Sequence, residues 1–334
     1  MMRRLGQKTY KRTKPMKSLD AFVSLLVDDL ALAGRHGTAH SYRSSVRRLI
    51  RFTGNTEFPF SALTPCFLKR YEQHLLLEGC KRNTVSLYLR MLRSICNQAV
   101  SRGIVQIPPG LFDDVFTGTD SSEKRAVSPS VIRHLHDADL SACPSLEVSR
   151  DCFLLSFYLR GIPFVDLIRL RKSDISKNVL RYRRSKTNRL LTVSVEPCAQ
   201  AILRKYASQV KNSPYLLPII TKDGYAGYRQ YQSALRRYNQ HLGQLSALLG
   251  LKVKLTSYVA RHSWATAAYH QGIPVSVISE SLGHASEKVT YTYLASFDNR
   301  TLSRANRKVI ALVTRDDVPY RKLFGKRNFS RWDL

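Results

Sequence analysis

The chain has 334 residues, 43% of them hydrophobic, and carries 54 Lys and Arg against 24 Asp and Glu, a formal net charge of +30. Cations spread along the whole length suit a protein that embraces a polyanion, not one tethered to it by a tail. No apolar run approaches the ~20 residues of a membrane span, and the N-terminus MMRRLGQKTYKRTKPMK has no apolar signal core, so a soluble, cytoplasmic protein of about two domains is expected, with no membrane partner.

Residues 1–17 hold seven Lys or Arg and no acid, and read as a basic arm. Helical spacing begins at residue 18. Ser18 caps a helix over 18–33 that turns Leu19, Phe22, Val23, Leu26, Val27 and Leu30 to one side. Gly34 and Gly37 are expected to end it, and Thr38 opens a second helix to about residue 52. A third follows Thr64-Pro65, where proline suits the first turn. A fourth, over 83–102, turns Val85, Leu89, Leu92, Ile95, Cys96 and Ala99 inward. Together these predict a four-helix domain over 18–105. Around the start of the fourth helix, Arg82, Asn83, Thr84, Tyr88, Arg90 and Arg93 gather guanidiniums, hydroxyls and an amide that suit phosphate oxygens and base edges. A solvated helix face would present the same residue types. Residues 106–123, with Pro108-Pro109-Gly110 and the run Thr117-Gly118-Thr119-Asp120-Ser121-Ser122, read as an interdomain linker.

A second domain is expected over 124–315, followed by a basic tail at 316–334. Helices are predicted at 130–138, 146–159, 197–210, 227–249, 258–270, 275–282 and 287–293. Between them, residues 179–184 and 190–195 alternate apolar with polar or basic side chains, and Ser185-Lys186-Thr187-Asn188 joins them as a β-hairpin. The fold class is therefore mostly α with a small β-sheet. Residues 299–313 add a helix offering Leu302, Val309, Ile310, Leu312 and Val313 as an apolar surface. Cys66, Cys80, Cys96, Cys143, Cys152 and Cys198 stand far apart, with no C-x-x-C pair or zinc-ligand spacing, and read as buried thiols with no metal site.

Residues 255–296, LTSYVARHSWATAAYHQGIPVSVISESLGHASEKVTYTYLAS, hold Arg261-His262, then Leu282-Gly283-His284, then Tyr293 nine residues after that histidine. In order and spacing they resemble the H-x-x-R-H, L-G-H and tyrosine motifs of the tyrosine recombinase, or phage integrase, family, in particular the integrase and invertase type of Bacteroidetes mobile elements. RGIPFVDLIRLRKSDI, residues 160–175, resembles the family's first arginine box, and Lys186 matches its hairpin lysine. The likeness covers roughly 18–315. It implies a core-binding (SAM-like) domain and a catalytic domain closing as a C-shaped clamp on double-stranded DNA. The implied activity is bacterial or phage-encoded site-specific recombination (integration, excision or inversion) through a 3′-phosphotyrosine. No cofactor is implied; the implied partners are a homotetramer on paired sites and accessory DNA-bending proteins.

The chemistry explains why such residues belong together. A phenol attacking a phosphodiester builds negative charge on the nonbridging oxygens, which two arginines can hold through bidentate hydrogen bonds. The resemblance makes Tyr293 the nucleophile, Arg261 one of the arginines and Lys186 the acid for the leaving 5′-oxygen. His284 would orient the phosphate or exchange a proton with the nucleophile, Tyr291 would pack, and His262 would be structural. Two positions depart from the family. Tyr258 stands where a histidine normally precedes Arg261, and is assigned positioning only. Pro163 stands where the first arginine belongs; Arg160, one helical turn earlier, is the expected replacement, with Arg169 or Arg171 as alternatives and Asp166 as a buttress. Arg183, Arg184 and Arg189 flank Lys186 and would attract DNA. A type IB topoisomerase and a noncatalytic DNA-binding regulator are the rival readings.

Overall fold

Three buried apolar clusters organise the computed structural model, which describes residues 18–120, 125–294 and 299–311. The first cluster gathers α1 (Leu19–Leu32), α2 (His36–Thr53), α3 (Pro65–Leu77) and α4 (Arg82–Ser101). Ser18 and Thr64 cap α1 and α3 by accepting from the Ala21 and Phe67 amides, which satisfies N–H groups the helices leave open. Phe22, Leu49, Leu68, Leu89 and Ile95 are buried between them. Gly37 does not break the chain as expected. Only Gly34 takes the left-handed conformation that stops a helix, and Gly37 lies in the first turn of α2.

Residues 106–120 also differ from a free tether. Leu111, Phe112 and Val115 are buried in the first cluster, and the buried carboxylate partner of Lys69, Glu72, accepts from the Phe116 amide at 2.7 Å. A run broken by Pro108, Pro109, Gly110 and Gly118 shows no helical period, yet its apolar residues still find a core.

The second cluster is built on α5 (Pro129–Asp137), α6 (Pro144–Tyr158), the single turn α7 (Phe164–Leu167), α8 (Pro197–Lys205), α9 (Gly224–Leu248) and α10 (Val259–His270). Helix α6, carrying Phe153, Leu154 and Leu155, packs against α8, α9 and α10. Beside it lies an antiparallel sheet of β1 (Ile175–Ser176), β2 (Val179–Arg183) and β3 (Leu190–Ser194) in that order. Leu180 pairs with Val193 and Tyr182 with Leu191, and all four face the core. The two-residue β1 is too short to leave a period in the sequence. Helices α11 (Val275–Leu282) and α12 (Glu287–Tyr291) close a third, smaller cluster of Ala265, Ala268, Ile278, Leu282 and Leu294. Helix α13 (Asn299–Ala311) follows, with Leu302 and Val309 exposed. The arm at 1–17, Leu312, Val313 and the tail lie outside the described residues.

The cysteines are all free, but only Cys96 and Cys152 are buried; Cys66, Cys143 and Cys198 are exposed at the starts of α3, α6 and α8. Among the described residues no helix is long and apolar enough to cross a membrane, and no group of His, Cys, Asp or Glu could hold a metal ion.

Candidate active site

Arg261, in the first turn of α10, is 2% exposed. Its Nη1 donates to the Gly161 carbonyl at 2.7 Å, and its Nη2 donates to the Leu282 carbonyl at 2.6 Å and to His284 Nε2 at 2.9 Å. Guanidinium nitrogens only donate, so His284 Nε2 is an acceptor and the proton sits on Nδ1, which donates to Thr290 Oγ1 at 2.8 Å. Glycine is needed at 161: its φ is +69°, and a Cβ there would lie 3.0 Å from Arg261 Cα.

Tyr293 stands just beyond α12, its amide closing a turn on the Thr290 carbonyl. Leu294, buried beside Ala265 and Ile278, anchors the segment. The tyrosine ring lies between two imidazoles, 4.6 Å from His262 and 4.9 Å from His284 by centroid, with the Arg261 guanidinium 5.5 Å from its centre. His262 thus touches Tyr293, and His262 Nδ1 also lies 3.4 Å from its carbonyl. Tyr291 is exposed instead of packed, because it falls on the outer side of a one-turn helix.

The β2–β3 hairpin docks on the Leu282-Gly283-His284 turn. Arg184 Nη1 and Thr187 Oγ1 donate to the Gly283 carbonyl at 2.9 and 3.3 Å, and Arg189 Nη1 to the His284 carbonyl at 3.0 Å. Asp166, 4% exposed, accepts from the Ser185 amide at 3.0 Å and so ties the hairpin to α7. Lys186 is exposed at the hairpin tip, and its charge reaches His284. Arg184, expected beside Lys186 as a residue that attracts DNA, is buried, because Leu180, Tyr182 and Arg184 share the inward face at period two. That alternation was the signal available in the sequence.

Arg160 does not join the cluster. With φ of +57° it makes, with Gly161, a left-handed turn after α6, so the continuous helix that would have swung it to the phosphate is absent. Its Nη1 lies 3.5 Å from the Thr192 carbonyl, beside a cavity lined by Arg189, Val277 and Glu280. The alternatives are engaged elsewhere: Arg171 pairs with Asp223 at 2.6 Å, and Arg169 lies over the Tyr231 ring. Tyr258, 45% exposed, caps the start of α10 with its ring 6.4 Å from that of His262. On α4, Asn83 exchanges two hydrogen bonds with the Asp120 backbone, Arg93 donates to Thr117, and Arg82 sits over Phe116. These three are thus held by the segment after the domain, Arg90 bonds the Ser86 carbonyl, and Tyr88 and Thr84 are half-buried.

Burial, then the cations of Arg261, Arg184 and Lys186, push the His284 imidazole down to about 3. Because the folded protein refuses a proton that the unfolded chain accepts near its ordinary 6.5, stability is full above pH 6.5 and is lost as pH falls toward 3, by on the order of a few kcal/mol. Urea melts from pH 7 to 4 should show this slope, and His284→Gln should flatten it. An unchanged slope in the variant would show that another group is responsible.

Residues 18–111 match the phage integrase SAM-like domain, and residues 126–300 match the phage integrase family. Among curated proteins, the chain is 23% identical over 265 residues to tyrosine recombinase XerC of Thermodesulfovibrio yellowstonii, covering 77% of this chain and 85% of that protein. It is 24% identical over 294 residues to tyrosine recombinase XerA of Thermococcus kodakarensis, covering 84% and 91%. Among solved structures, a lambda integrase dimer bound to a COC′ core site superposes with a TM-score of 0.61 at 16% identity, over 84% of this chain and 97% of that one. A lambda integrase tetramer bound to a Holliday junction gives 0.59 at 16%, over 84% and 78%. With the family match spanning more than half of its length, and with its arginine, histidine and tyrosine gathered at one point, the chain belongs to the phage integrase family of tyrosine recombinases.

Proposed function

We propose that this enzyme recombines DNA at specific sites, with Tyr293 as the nucleophile acting beside its own chain's Arg261 and His284. The observation that carries this reading is the Tyr293 ring packed on His284 and under the Arg261 guanidinium. Arg261 turns its donors to the nonbridging oxygens of the scissile phosphate, which frees His284 Nε2. A bond forms from the Tyr293 oxygen to phosphorus and the bond to the 5′-oxygen breaks. The phenolic proton passes to the neutral imidazole, whose cationic neighbours the phosphate charge offsets, while Lys186 protonates the leaving oxygen. Strand joining is the reverse, and the phosphotyrosine conserves the energy of the broken bond. Asp166 holds the hairpin and Tyr258 the rim; Thr84, Tyr88 and Arg90 contact the duplex from the first domain, and Arg82, Asn83 and Arg93 do so once residues 116–120 release them.

The lambda integrase structures describe a dimer on a core site and a tetramer on a Holliday junction. We assign this chain the same behaviour: weak self-association in bacterial cytoplasm and a homotetramer on paired sites, with α13 docking on the next subunit in a closed ring and DNA-bending proteins as accessories. A nicked suicide duplex tests the reading. A recombinase traps a covalent adduct and yields strand-exchanged product at a defined site; a topoisomerase relaxes supercoils without one; a regulator shifts the duplex without an adduct. Binding should also weaken steeply with salt, log affinity falling against log salt by about 0.9 per neutralised phosphate. A flat dependence would contradict the clamp.

A further inference from the structure

We infer that Arg184 is the second arginine that grips the scissile phosphate, the role the sequence pattern gives to Arg160; the assignment rests on the recombinase reading above. Arg184 is 4% exposed. Its guanidinium makes one hydrogen bond among the described residues, Nη1 to the Gly283 carbonyl at 2.9 Å, and its Nε is buried with no partner there. Arg261 Nε is in the same condition.

Neither guanidinium pairs with a carboxylate among the described residues, and the nearby Asp166 accepts from the Ser185 amide. Burial, then the Arg184 cation, pull the Arg261 guanidinium down to about 10, so the two charges feel each other. Two buried cations with unpaired N–H groups oppose folding unless an anion joins them. The anion must offer several acceptor oxygens to two planar forks at once, which is the chemistry of a phosphodiester.

The backbone holds this arrangement in place. Gly283, at φ +65°, admits the arginine: a Cβ there would lie 3.2 Å from Arg184 Cδ and 3.0 Å from Leu191 Cδ1. Because Arg184 and Lys186 are carried by the same hairpin, its docking on the Gly283 carbonyl delivers the phosphate clamp and the acid together. This accounts for a site that works with proline at 163 and with Arg160 turned toward Thr192.

Single-turnover cleavage of suicide duplexes by Arg184→Ala, Arg184→Lys and Arg160→Ala tests the assignment. Each is assayed on an ordinary scissile phosphate and on a methylphosphonate, in which a methyl group replaces one charged oxygen. Arg184→Ala should lose at least ~100-fold on the phosphodiester while keeping its DNA affinity, and should regain most of that rate on the neutral methylphosphonate. A residue that only supports the fold gives no such rescue. Lysine, charged but without the planar fork, should fall between, and Arg160→Ala should cleave near the wild-type rate. Three results overturn the assignment: Arg184→Ala cleaving normally, Arg184→Ala inactive on both substrates, or methylphosphonate rescue confined to Arg160→Ala. A wild-type protein that forms no adduct would overturn the recombinase reading, and this assignment with it, whereas an active wild type beside an equally active Arg184→Ala overturns the assignment alone.

Discussion

Tyr293→Phe is expected to bind its DNA site with unchanged affinity and to form no covalent adduct. The substitution removes one oxygen and keeps the ring that lies between His262 and His284. The hydrogen bonds that seat the residue run through its backbone, from Thr266 Oγ1 to its carbonyl and from its amide to Thr290, so the melting temperature should not move. A phenylalanine has no nucleophile, and water held at that position would give hydrolysis instead of a protein-linked strand. Tyr291→Phe provides the internal control. Two residues away but exposed, it should trap adduct at the wild-type rate. Denaturing gels of labelled duplex after incubation with each variant decide the matter. Adduct formed by Tyr293→Phe and missing from Tyr291→Phe would move the nucleophile.

Helices α1 to α4 were legible because each buries one face, so Leu, Val and Phe recur at three and four residues and Ser18 and Thr64 mark the starts. The hairpin was legible for the corresponding reason at period two. Arg261, His284 and Tyr293 were legible through their resemblance, in order and spacing, to the family's motifs: Arg261 and His284 stand on or just after helices that pack together, and the chain between them is short.

Arg160 and Arg184 show where this stops. Helical extrapolation from Arg160 assumed right-handed backbone, but Gly161 and Pro163 already favoured a turn, and the turn sends the guanidinium toward β3. At Arg184 a basic residue near a hairpin tip reads as one that attracts DNA, and its burial depends on Gly283, 99 residues further along the chain. The same limit hid the packing of residues 106–120. Glu72 and Asn83 hold that segment through its backbone, and backbone acceptors and donors leave no mark in a sequence.

Replacing Arg261 should give the other large loss, and the choice of replacement separates chemistry from support. Its two terminal nitrogens hold the Gly161 and Leu282 carbonyls and His284 Nε2, so alanine removes the phosphate fork and also leaves buried acceptors unpaired, at a cost of about 1–3 kcal/mol each where water cannot enter. Set against this, alanine removes a buried cation that has no carboxylate partner among the described residues and relieves its repulsion with Arg184. The two effects oppose each other, so the melting temperature should shift by only a few degrees while cleavage falls by at least ~1000-fold, since the fork acts chiefly on the transition state. Lysine keeps the charge but offers one point donor in place of two parallel ones, so cleavage should still fall by about 100-fold or more with DNA affinity almost unchanged. Affinity draws on many phosphate contacts, of which this is one. Measuring single-turnover cleavage, duplex affinity and thermal melting on the same preparations makes the contrast testable. A loss of affinity as large as the loss of cleavage would mean that Arg261 binds the ground state as strongly as the transition state, and its place as the centre of the site would not survive that result.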